Sequence, residues 1–186
     1  MARAICFCGV GSLGSRIAIE LASSEFHFFL KDDDRVSMDN IGPRAFFVEQ
    51  LGQHKVNAMA ELAYRKARTV CHPNKDTRVR KIDYGFDLVI DTFDNPASRL
   101  LTINDELTTV HVGVGEGEIG SVMWDDAYTP PEVTFQRGRN PICTHMLGKQ
   151  LIQFTASVAV GSILSYFETG HKSSYIVRST MEIFRI

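Results

Sequence analysis

The chain has 186 residues, 44% hydrophobic and 23% charged, with a formal net charge of −2. That is ordinary globular composition for one domain with a substantial core. It excludes a polyanion-binding surface built from net charge, so any phosphate site must be a local cluster, and no nucleic-acid partner is expected. No apolar run is read as a membrane span, and the N-terminus lacks a signal-peptide pattern, so a cytoplasmic protein is expected.

Strand and helix patterns alternate along the chain. Residues 3–8 are an apolar run that breaks into Gly9-x-Gly11-x-x-Gly14, and a helical pattern follows over 12–23. A strand, a tight turn and a helix N-terminus make an anion site. The first glycine permits the turn, the second lets backbone approach a phosphate, and the third packs helix against strand. A second strand, Phe26 to Leu30, ends in Lys31-Asp32-Asp33-Asp34. Asp32 stands where a dinucleotide fold keeps the acid that holds a ribose hydroxyl. A polar loop crosses Asn40, Gly42, Pro43 and Arg44.

Lys55 to Arg68 has helical spacing, with Val56, Met59, Ala60, Ala63 and Ala67 on one stripe. A lysine at a helix start opposes the helix dipole, which points to a bound anion. Thr77 to Ile82 and Phe86 to Asp91 read as strands, and Pro96 to Leu107 as a helix with proline at its first turn. Asp94 falls at the ligand edge of the sheet, free to hold Mg²⁺ or to cap the following helix. Strands follow at Val110 to Val114 and Gly120 to Trp124. Residues 125–146 read as a flexible crossover with one short strand near Val133 to Gln136. A long helix spans Leu147 to Phe167, and two strands close the chain over Tyr175 to Ile186. The pattern predicts one α/β domain over 1–186, a Rossmann-like, doubly wound, mostly parallel sheet with helices on both faces.

Four linked motifs narrow the reading: Gly9-x-Gly11-x-x-Gly14, Asp32-x-Asp34-x-Val36-x-x-x-Asn40, Gly52-x-x-Lys55 and Asp94-Asn95-x-x-x-Arg99. In this order they resemble the ThiF/MoeB/HesA family, which includes the adenylating domains of ubiquitin-activating enzymes. The resemblance implies ATP and Mg²⁺ as cofactors, and adenylation of the C-terminal carboxylate of a small β-grasp protein, ubiquitin-like or sulfur-carrier. It implies that Gly9, Gly11 and Gly14 line the phosphates, Asp32 takes the ribose, Asn40 and Lys55 contact the phosphates, and Asp94 holds Mg²⁺. Asp34 belongs to the same cofactor-binding set. A homodimer or heterodimer is expected. The family's arginine is displaced here: Pro43 stands in its place and Arg44 follows. No C-x-x-C pair occurs, so no zinc is expected.

Cys143, in Pro141-Ile-Cys-Thr-His145, resembles the thioester motif of ubiquitin-activating enzymes, which implies thioester or persulfide transfer there. Arg137, Arg139 and His145 would favour its thiolate. The other histidines have no motif support. Two other readings stand beside adenylation. An NAD(P)-dependent oxidoreductase explains the glycines and Asp32 but leaves Lys55, Asn40 and Asp94 idle. A non-catalytic nucleotide-binding partner of an activating complex accounts for the displaced arginine.

Overall fold

The structure is a computed structural model and describes residues 2–41, 45–75, 85–115, 118–130 and 146–186. The first apolar run is strand β1 (Arg3–Cys8), followed by helix α1 (Ser12–Leu21) and β2 (Phe26–Lys31). Helix α2 (Lys55–Ala67) ends where Arg68 turns left-handed at φ 56° and its N–H bonds the Tyr64 carbonyl. Then come β3 (Val70–Asn74), β4 (Leu88–Asp91), the single-turn helix α3 (Pro96–Arg99), β5 (Thr109–Gly115) and β6 (Ile119–Trp124). Helix α4 (Met146–Thr169) leads to β7 (Tyr175–Arg178) and β8 (Ile183–Arg185).

The strands form one sheet in the order β3-β2-β1-β4-β5-β6-β7-β8. The first five are parallel and the last three join antiparallel. Strand order reverses beside β1, whose neighbours are β2 and β4. This reversal opens the crevice at the carboxyl ends of β1 and β4 where open α/β sheets take ligands.

The expected α/β architecture is present, with a lopsided distribution of helices. Ile5, Phe7, Phe28, Leu88 and Ile90 share one core with residues of α1, α2 and α4, including Ile17, Met59, Ala159 and Ile163. The alternate residues Cys6, Cys8 and Val89 point the other way, into a small cluster with Leu107, Phe29, Phe86 and Phe93. Helix α3 lies on that second side, because Arg99 and Thr102 reach Asp91, two residues on from Val89. Helix α4 is long and apolar enough, by length and composition, to cross a membrane. Leu151, Ile152, Ala156, Ala159 and Ile163 are buried, and the helix packs on α1, β5, β6 and β7.

One local expectation changes, and two fall outside the described residues. The strand expected at Thr77 to Ile82 lies wholly within 76–84, outside the described residues, and the described strand β3 lies at Val70–Asn74. Its pattern is exposed and contains Pro73, as an edge strand allows but an apolar period does not reveal. The helix expected over 96–107 is one α-turn and a 3₁₀ turn, Leu100–Thr102, because Thr102 turns inward to the buried Asp91. Residues 133–136 also lie outside the described set.

Candidate functional site

The glycine turn begins where β1 ends. Gly9 has φ +92° and donates its N–H to the Lys31 carbonyl at 2.9 Å. A Cβ on Gly14 would stand 2.2 Å from the Gly9 carbonyl oxygen, so α1 approaches the turn only because this residue is glycine. A Cβ on Gly11 would meet nothing within 4 Å. Gly11 caps α1 without a side-chain hydrogen bond, and the first turn carries no acid. A helix N-terminus with no capping side chain and no acid in its first turn is suited to binding an anion.

Asp32 is bound to this turn. Its Oδ2 accepts the Val10 N–H at 2.7 Å and its Oδ1 accepts the Asp34 N–H at 2.9 Å. Burial pushes its carboxyl above the ordinary 3.8, opposed by the nearby Lys55 ammonium and by the two backbone donors. A carboxylate has about four acceptor positions, so capacity remains for a hydroxyl donor. Lys55 opens α2 and is buried, 3% exposed. Its Nζ forms an ion pair with Asp34 and lies 4.0 Å from Asp32 Oδ1. Asp34 is thus the counter-ion of Lys55 here, and its carbonyl accepts the Lys55 N–H at 2.9 Å. Asn40 is buried and its Oδ1 accepts the Ser37 N–H at 3.1 Å, closing the turn Met38–Asn40. Ser15 ties the next segment to α1 by accepting the Ala45 N–H at 3.3 Å.

The turn after β4 carries Asp94, which is exposed and makes no hydrogen bond or ion pair with the described residues. Asn95, not Asp94, caps α3: its Oδ1 accepts the Ser98 N–H at 2.8 Å. Asp94 therefore keeps both carboxylate oxygens uncommitted, which fits a hard cation. Sequence reasoning missed Thr92, whose hydroxyl donates to the Gly9 carbonyl at 2.8 Å and joins this turn to the glycine loop. It also missed His111, a residue without a motif, whose Nδ1 is 2.8 Å from Asp91 Oδ2. Only pairing of β4 with β5 brings the two together. Among the described cysteines, burial pushes the Cys71 thiol up to about 11. The Cys8 thiol is also raised, first by its contact with Cys6 and then by burial. Both are therefore thiols at neutral pH. Arg44 and Cys143 lie outside the described residues.

Asp32, Asp34 and Lys55 are thus bonded, through Val10, to the turn that carries Gly9, Gly11 and Gly14 at the carboxyl edge of the sheet, with Asp94 on a turn tied to it. The ThiF family model matches residues 2–124, which contain every one of these residues. The chain belongs to the ThiF family. Solved structures similar to this ThiF-family chain include Escherichia coli MccB with MccA-N7isoASN, at TM-score 0.75 and 11% identity, covering 99% of this chain and 64% of that one. E. coli MccB with ATP matches at TM-score 0.75 and 12% identity, covering 99% and 63%. PaaA matches at TM-score 0.70 and 13% identity, covering 99% and 63%. At such identities the likeness is one of fold, and the chain spans just under two thirds of the MccB and PaaA chains. No curated protein matches it.

Proposed function

We propose that this protein adenylates a carboxylate at the C-terminus of a small protein or peptide, using ATP. The observation that carries the reading is the bonded run from the glycine turn through Asp32 to the buried Lys55, within a ThiF-family match over the same residues. The dipole and burial both oppose the charge of Lys55, Asp34 pairs it here, and a phosphate oxygen that displaced Asp34 would keep it paired. In the reaction, a carboxylate oxygen attacks the α-phosphorus of ATP and the bond from that phosphorus to the bridging β-phosphate oxygen breaks. Pyrophosphate leaves with the bond pair, and an acyl-adenylate remains.

Gly9 and Gly11 admit the phosphates to the backbone amides. Asp32 receives the ribose hydroxyls, and Lys55 exchanges Asp34 for a phosphate oxygen. Asn40 would contact the phosphates with Lys55. Asp94 would hold Mg²⁺, which supplies charge neutralisation on the leaving pyrophosphate. Arg44 would add a cation to the phosphate set, and the Cys143 thiolate would attack the acyl-adenylate carbonyl carbon, forming a thioester as the acyl–phosphate C–O bond breaks and AMP leaves. MccB, solved with ATP and with MccA, makes a small protein or peptide partner the natural expectation. A β-grasp protein is the partner class we favour, with the enzyme a dimer in the cytoplasm.

ATP–pyrophosphate exchange with a panel of β-grasp proteins and C-terminal peptides tests the reading. Exchange that requires Asp94 and survives Cys143→Ala supports it and separates adenylation from thiol transfer. Tight NADH binding without ATP binding overturns it.

A further inference from the structure

The carboxylate of Asp91 is fully buried and is the centre of a polar cluster that the nucleotide reading leaves without a role. Its Oδ2 accepts the Thr102 hydroxyl at 3.0 Å and lies 2.8 Å from His111 Nδ1 and 3.6 Å from Arg99 Nη1. Its Oδ1 accepts the Phe93 N–H at 3.0 Å. Arg99 also donates to the Val112 carbonyl at 2.9 Å, and His111 stacks on Tyr128 with ring centroids 3.6 Å apart. A buried ionic cluster is a poor source of stability compared with well-packed apolar residues of the same volume. What the cluster does hold is the start of the turn after β4, through the Phe93 N–H.

The residues around Asp94 identify what is ordered. Phe93 is tied to Asp91, Thr92 to the Gly9 and Cys8 carbonyls, and Asn95 to the Ser98 amide. Within this fixed turn Asp94 alone has a carboxylate with no partner among the described residues. We infer that Asp91, held by Arg99, Thr102 and His111, is a positioning residue that fixes the backbone of the turn carrying Asp94, whose carboxylate would take a divalent cation on the nucleotide phosphates. This inference rests on the adenylation reading. Groups that orient a metal ligand from behind are typically worth about 10–100-fold in metal affinity. Tyr128 extends the cluster to the stem of the segment leading into 131–145.

The test is calorimetric ATP binding to the full chain, with Mg²⁺ and in EDTA. Asp94→Asn should abolish the gain in ATP affinity that Mg²⁺ confers. Asp91→Asn and His111→Gln should cut that gain about tenfold, with affinity in EDTA within twofold of the parent. The double variant Asp91→Asn/Asp94→Asn should be no weaker than Asp94→Asn, because both act through one carboxylate. Thr102→Val serves if Asp91→Asn does not fold. The inference is overturned if the variants keep the full gain, or lose affinity equally in both conditions as merely destabilised proteins would. A parent protein that binds no ATP removes the adenylation reading and this inference together. A parent with a normal Mg²⁺ gain that its variants share removes the inference alone.

Discussion

Two glycines of one loop separate structural from functional constraint. A Cβ on Gly14 meets the Gly9 backbone oxygen at 2.2 Å and Thr92 Oγ1 at 2.6 Å, so Gly14→Ala forces the turn and α1 apart. We expect a loss of about 1–3 kcal/mol, read as a fall in melting temperature, with ATP binding lost too. Gly11 faces open space, so Gly11→Ala should cost less than about 1 kcal/mol in the same melt. Its ATP affinity should nevertheless fall, because the methyl group stands where backbone must meet phosphate. Asp32 carries a pH signature. Its folded pKa is raised above 3.8, mainly by burial, so the folded chain holds a proton that the unfolded chain has released. The stability this gives is full below 3.8 and is lost as pH rises through the folded value. Denaturant titrations from pH 3.5 to 7 should show the wild type losing stability relative to Asp32→Asn as pH rises. A flat or opposite trend would refute the assignment.

At the scale of elements, the contact between β6 and α4 turns on a single glycine. A Cβ on Gly120 would lie 2.0 Å from Thr155 Oγ1, a buried hydroxyl with no hydrogen-bond partner among the described residues. Gly120→Ala should cost about 1–3 kcal/mol, and adding Thr155→Ala should restore most of it by removing the obstructing atom. If the double variant is no better than Gly120→Ala alone, β6 and α4 are not held apart by this pair. Elements whose partners are near in sequence were legible: β1, α1, β2 and α2 follow from apolar period and the glycine turn. Strand β3 was not, because an exposed edge strand buries no period and contains Pro73. The expected helix from Pro96 ran too far because its end is set by Thr102 reaching back to the buried Asp91 at the end of β4.

For the molecule as a whole, ligand binding and stability are linked. A nucleotide that binds only the folded chain at 100 times its dissociation constant adds about 2.7 kcal/mol. For a chain of this size that raises the melting temperature by about 5–11 °C. ATP with Mg²⁺ should do so in a thermal shift series, and the shift should shrink in Lys55→Met. Amino-acid order alone determined the α/β class, the glycine turn, the acid after β2, the lysine opening α2 and family membership. These depend on local period and on residues a few positions apart. The tertiary structure decided the side-chain pairings: Lys55 with Asp34, Thr92 with the glycine loop, and Asp91 with Arg99 and His111. Thr92 and Gly9 follow strands far apart in sequence, Asp91 and His111 are set side by side by the register of β4 with β5, and the rest are set by how the turns after the strands fold back.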